Sequence, residues 1–203
     1  MPYLDPSEYE AYGLSAETTG DLVQMASALI DAHCRRATLL VQQYTERIRL
    51  TAGSQSVRLS YLPLAPESAI VTVRVRYGRP RRGEMQETML TQAAWAFSIP
   101  GSWSTLDPAS VDVNPATAEV AFPANFLGVP YNEVEIAYSA GFATVPVVIK
   151  TACAQVVRNA QATPALNVKG SRVDTLQMDY FSGSLIDPTV QKLLAPYVAQ
   201  RVG

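Results

Sequence analysis

The stretch Asn132–Ala162 (NEVEIAYSAGFATVPVVIKTACAQVVRNAQA) constrains the fold most, because it places a strand and a helix in succession with only a short turn between them. Val134, Ile136 and Tyr138 alternate with Glu133, Glu135 and Ala137, the period-2 pattern of a strand with one buried face. Gly141 breaks that strand. Pro146 suits the first turn of a helix, where a missing N–H costs nothing, with Thr144 or Val145 at the cap. Ile149, Ala152, Cys153, Val156, Val157 and Ala160 then recur at helical spacing on one face.

A helix with an apolar stripe needs a partner, and the N-terminal segment supplies one. Asp5, Pro6 and Glu8 form a capping box that starts a short helix, Leu4 can staple onto Tyr9, and Gly13 ends it. A second helix is expected from Ser15–Asp21 to about Arg36, with Leu22, Met25, Ala26, Leu29, Ile30 and His33 on one face. With no helical partner nearer in sequence, this helix and the one ending near Pro164 are expected to pack on each other.

Between them the period changes. Tyr44–Thr51 and Val57–Leu62 alternate around a turn-like AGSQS, which reads as a hairpin. Ala69–Tyr77 follows, with Val71, Val73 and Val75 facing one way and Thr72, Arg74 and Arg76 the other. Short β pieces at Trp95–Ile99, Val111–Val113 and Ala118–Phe122, punctuated by Pro and Gly, point to a small antiparallel sandwich or barrel. The expected fold class is therefore α+β: a small helical bundle, made of the N-terminal helices, a helix over 146–162 and a C-terminal helix, with an inserted antiparallel β sandwich or barrel-like module. Residues 1–43 and 141–203 would form the helical frame, and 44–140 the insertion.

After the long helix, Leu176, Met178 and Tyr180 alternate with Gln177 and Asp179, an extended segment whose apolar edge calls for a partner such as another subunit. Asp187-Pro188 repeats the cap-then-proline signal. Val190, Leu193, Leu194, Tyr197 and Val198 give a last amphipathic helix, which Pro196 should kink or stop.

Composition narrows the function. With 48% hydrophobic and 17% charged residues the chain is ordinary for a folded protein, and a net charge of −2 gives no overall basic character for gripping nucleic acid. No apolar run approaches the roughly 20 residues that span a bilayer, and the N-terminus lacks a signal-peptide pattern. Cys34 and Cys153 read as buried thiols in a reducing compartment, not a disulfide. His33, the single histidine, points about 100° away from Cys34 on its helix, so no Cys–His catalytic pair forms. Too few ligands are present for a His/Cys metal site. Glu133 and Glu135 share a strand face and are the candidates for an acid/base pair, although solvated strand faces carry such pairs routinely. No nucleophile elbow or phosphate loop occurs, and no catalytic residue, cofactor or metal is assigned. The most unusual local feature is Arg74, Arg76, Arg79, Arg81 and Arg82, which can meet an acidic partner, touch phosphates or guard a solvated edge. Trp95, Trp103, Phe97 and Tyr61 read as β-core aromatics.

In order along the chain, a capped short helix, LVQMASALIDAHCRR, EIAYSAGFATVP leading into an Ala/Val helix, GSRVDTLQMDYFSGS and a terminal LLAPYV resemble the head-to-tail connector, or adaptor, proteins of tailed bacteriophages. The resemblance covers the helical parts, roughly residues 1–40 and 132–203. It implies a virion neck protein, assembled in the host cytoplasm, that forms a closed ring of about twelve subunits between the portal protein and a tail or stopper protein. Double-stranded DNA would pass through the lumen without sequence-specific binding, and no membrane is involved. The resemblance assigns portal binding to Leu193, Leu194, Tyr197, Val198 and Arg201. Contact between subunits would fall to the extended segment, at Leu176, Met178, Tyr180 and Phe181. Three alternatives remain at this level. They are a tail-completion or stopper protein, a carbohydrate- or ligand-binding β module using Trp95 and Trp103, and a hydrolase using Glu133 and Glu135.

Overall fold

The computed structural model describes residues 1–15, 17–50, 54–65, 69–77, 89, 102–123, 131–162, 170–173, 176–179 and 185–200. Helices and antiparallel sheets are both present, an α+β fold. The chain divides into two compact units: Met1–Leu39 with Thr144–Val198, and Leu40–Ala143 with the residues from Ala199 onward.

The first unit is helical. Asp5 opens it, its N–H donating to Glu8 Oε2 at 3.2 Å. Two 3-10 turns, Pro6–Glu8 and Glu10–Tyr12, stand where a short helix was expected. Pro6 and Gly13 are too close together to sustain an α-helix, and Gly13 ends the segment at φ +70°. Helix α1 (Gly20–His33) buries Val23, Ala26, Ser27 and Ile30, with Cys34 continuing the stripe. This is the expected face turned by about one residue position, and Met25 is left 39% exposed. Ser27 explains the turn: its Oγ donates to Val23 O at 2.8 Å and accepts from Tyr3 N–H at 3.0 Å, so a polar residue sits inside without an unmet hydrogen bond. The helix stops before Arg36 because Arg35 takes a left-handed conformation (φ +56°) and Arg36 N–H bonds to Asp31 O at 3.0 Å.

Helix α2 (Val147–Ala162) buries Ile149, Ala152, Cys153, Val156 and Val157, as its periodicity predicts. Pro146 stands one step earlier than expected, as the cap: its carbonyl accepts from Ile149 and Lys150 N–H at 3.0 and 3.1 Å. α1 packs on α2, bringing Ser27 Oγ to 3.8 Å from Cys153 Sγ. Asn159 also turns inward, its Nδ2 donating to Leu185 O and to Asp187 Oδ2. That anchors helix α3 (Pro188–Leu194), whose N-cap Asp187 accepts from Val190 N–H at 2.7 Å. The α-helix ends at Leu194, and Pro196 lies in a following 3-10 turn.

In the second unit, strands β1 (Gln42–Arg49), β2 (Ser56–Arg58), β3 (Ile70–Arg76), β4 (Ser104–Leu106), β5 (Asp112–Asn114), β6 (Glu119–Ala121) and β7 (Glu133–Ala140) form two antiparallel sheets. Their orders are β1-β7-β3-β4 and β2-β6-β5. A shared core includes Val73, Val75, Val134, Ile136 and Tyr138 from the first sheet and Val57 and Val120 from the second. Among the described residues no barrel closes.

Two expectations are corrected here. β1 and β2 do not form a hairpin, because β1 pairs with β7 and β2 with β6. A local turn cannot outweigh eight residues of register against β7. Val71 does not line up with Val73 and Val75: the register shifts between Ile70 and Thr72, which leaves Val71 42% exposed. The strand piece expected at Trp95–Ile99 lies outside the described residues.

Beyond α2, β8 (Gly170–Val173) and β9 (Leu176–Asp179) pair antiparallel. The segment at Leu176 is therefore not an isolated strand, since it pairs with β8 immediately upstream in the same chain. Tyr180 and Phe181 fall outside the described residues.

Candidate functional site

A cluster of paired charged side chains lies on the outer face of the four-stranded sheet. Its origin is alternation. The residues of β7 that send Val134 and Ile136 into the core send Glu133 and Glu135 to the other face. β1 and β3 flank β7 on either side, and their outward positions carry Arg47 and Arg49, and Arg74 and Arg76. Register then sets two cross-strand rows, Arg47–Glu135–Arg74 and Arg49–Glu133–Arg76. Each glutamate is thus flanked by arginines on both neighbouring strands, the arrangement that cross-strand electrostatics favours.

The ion pairs run partly along these rows and partly across them. Arg74 Nη1 donates to Glu135 Oε1 at 2.9 Å, and Arg76 Nε donates to Glu133 Oε2. Arg47 reaches diagonally, its Nη2 donating to both Glu133 oxygens at 3.1 and 3.3 Å. Trp103, just before β4, completes the assembly: the guanidinium carbons of Arg76, Arg47 and Arg74 lie 4.6, 5.3 and 5.5 Å from its ring centroid. Guanidinium over indole is attractive through the ring quadrupole and also holds the planar group in one orientation. Trp103 is therefore not a core aromatic as expected; it caps a charged surface. Tyr61 does pack against the core and stacks on Tyr44 at 3.9 Å.

These contacts decide what the two glutamates can do. Partial burial alone would raise the Glu133 carboxyl, but hydrogen bonds and charge from Arg76 and Arg47 outweigh it and hold the group below the usual carboxylate range. An ionised, doubly paired carboxylate is a poor proton donor and a weak base, so its chemistry here is that of a structural anion. Four arginines around two glutamates leave the face with net positive charge. Arg47 and Arg74 remain 51% and 46% exposed in their side chains.

The remaining sequence candidates are dispersed. Cys34 and Cys153 are buried free thiols, each pushed up to about 11 chiefly by burial. His33 is half-buried at the end of α1. Among the described residues no group of three or more His, Cys, Asp or Glu side chains could hold a metal ion, and no helix is long and apolar enough to cross a membrane. Of the C-terminal residues, Leu194 is fully buried, while Leu193, Tyr197 and Val198 are half-buried. Leu176 and Met178 lie in β9. Arg79, Arg81, Arg82, Arg201, Trp95 and Phe97 lie outside the described residues.

Arg47 and Arg49 are not among the sequence candidates, because taken alone they are ordinary outward positions of an alternating strand. The signal was present as three alternating tripeptides, Arg47-Ile48-Arg49, Glu133-Val134-Glu135 and Arg74-Val75-Arg76. Opposite charges at matching period mark strands that can lie side by side. No model of a known protein family matches the chain, and no curated protein matches it.

Proposed function

We propose that this chain is a structural protein of a tailed-phage particle, a connector that assembles as a ring between portal and tail and extends the DNA channel without catalysis. The observation that carries the reading is the pairing of α1 with α2, which are far apart in sequence, while the chain between them forms a β unit of its own. That is the organisation the resemblance calls for. The contact of α3 with α2 through Asn159 and Asp187 supports reading the frame as a small bundle, and the shared core of the two sheets supports reading the insertion as sandwich-like. The carboxylates best placed for catalysis are instead neutralised by arginine on a rigid sheet, which suits a contact surface better than a reaction centre. With a net charge of −2, a ring of such subunits would let DNA pass while neutralising few phosphates.

The portal contact is assigned to Leu193, Tyr197 and Val198, with Arg201 following them in the sequence; Leu194 is buried. The test is mass measurement of the full chain alone and mixed with purified portal rings, for the wild type and for Leu193→Asp with Val198→Asp. The reading expects a multimer that co-migrates with portal and a doubly substituted variant that keeps its helical circular dichroism but loses portal. A protein that is monomeric under all conditions and never associates with portal would overturn it.

A further inference from the structure

We infer that the outer face of the four-stranded sheet is the docking surface for the acidic N-terminal segment of a second copy of this chain. The inference deepens the ring reading by naming the two faces that meet.

The receiving face is cationic and held in place. Two of its arginines, Arg47 and Arg74, are half exposed, and each engages its glutamate through a single terminal nitrogen. A guanidinium carries five N–H donors, so both retain donors for an incoming carboxylate. The Trp103 ring against both guanidinium groups holds their planes, so little side-chain freedom is lost when a partner binds. Arginine with tryptophan at the centre of a face is the composition that carries binding energy at protein interfaces.

The chain itself supplies the complement. Its first 34 residues contain six carboxylates and no lysine or arginine. Glu8 is paired with Lys150, and Asp31 accepts from Tyr3 Oη. Asp5, Glu10, Glu17 and Asp21 are exposed. The donor and acceptor surfaces are different parts of the molecule, so the contact is head-to-tail. A contact of that kind, repeated by a constant rotation, closes into a ring.

Duplex DNA is the competing occupant and fits less well. Glu133 and Glu135 lie in the middle of the arginine rows, where each would face an approaching phosphate. A carboxylate-bearing protein segment can instead place single side chains over individual arginines.

The experiment is sedimentation of the full chain at about 0.05 and about 0.5 M salt, a range over which the screening length shortens severalfold. Four forms are compared: wild type, Arg47→Glu with Arg74→Glu, Glu10→Lys with Glu17→Lys, and the chain carrying all four changes. The wild type should associate and weaken with salt. Each two-site variant should associate at least about tenfold more weakly, the two variants mixed should associate again, and the four-site chain should regain self-association. Circular dichroism identifies a sheet variant that fails to fold; the N-terminal variant, altered only at exposed sites, then decides alone. Association that ignores the swaps overturns this interface while leaving the ring reading intact. A monomeric wild type overturns both. Salt-sensitive binding to a duplex oligonucleotide, lost in the arginine variant while association is unchanged, overturns the inference in favour of nucleic acid.

Discussion

Gly141→Ala is the substitution whose cost follows most directly from geometry. Gly141 closes β7 at φ +128°, a backbone conformation that side-chain-bearing residues rarely adopt. Holding alanine there costs about 1–3 kcal/mol. A Cβ at this position would also sit 2.3 Å from the Leu40 carbonyl oxygen, 2.5 Å from its carbon and 2.7 Å from Val41 N. All three are backbone atoms, so no side chain can swing aside. Relief requires moving the crossing of residues 40–41 with 141–142, where Val41 N–H bonds to Phe142 O at 3.1 Å and Gly141 N–H to Pro63 O at 2.8 Å. Losing one of these bonds adds about 1 kcal/mol. Alanine lowers unfolded-chain entropy, which returns about 0.4–1 kcal/mol. The net expectation is a loss of about 1–3.5 kcal/mol, or roughly 2–14 °C in the melting of this unit at the conversion for a chain of this size. Trp103 belongs to the second unit and packs against Arg76 on its sheet, so tryptophan fluorescence follows this unit during a thermal or urea titration. The control is Gly20→Ala, where no atom lies within 4 Å of the added Cβ. Equal melting of Gly141→Ala and Gly20→Ala would refute the reasoning.

Two further outcomes are expected. Asp187→Ala should destabilise the first unit by about 1–2 kcal/mol through loss of the α3 cap, with Asp187→Asn recovering most of it; circular dichroism at 222 nm checks this, and identical melting of all three forms would sink the capping account. The Val190 N–H, with Asn159 assisting, depresses the Asp187 pKa in the folded state. Its contribution is therefore fully present above the unfolded carboxylate value of about 4 and lost as pH falls through the lower folded one, so the deficit of the alanine variant should shrink in acid. Separately, the two buried thiols should resist an aromatic disulfide reagent at pH 8 in the native protein and both react once denatured. Rapid native reaction at Cys34 or Cys153 would show that burial does not protect them.

Much of the helical unit was legible in the sequence. Capping residues at Asp5 and Asp187 and the stripe from Ile149 to Val157 are local signals, and the structure uses them where they stand. Legibility failed where a polar residue became a core residue. Ser27 and Asn159 count against burial in any periodicity, yet each is inside because a specific backbone group lies in reach. In the β unit the individual strands were visible and their partners were not. β7, with apolar and charged residues alternating cleanly, was legible as a strand with one buried face; that it is central, with β1 and β3 on either side of it, did not follow from local pattern. The arginine face was half visible for the same reason.

Residues close in sequence therefore determined the caps, the turns, the helix stripes and the inward and outward faces of each strand, because those depend on backbone geometry and periods of 2 and 3.6. Tertiary structure alone decided that β1 pairs with β7 and not with β2, that Val71 bulges outward, and that Arg47 and Trp103 meet Arg74, Arg76 and Glu133. Strand partners are chosen by competition among all the edges in the chain, and a local turn is a small term beside eight residues of hydrogen bonding and a shared core.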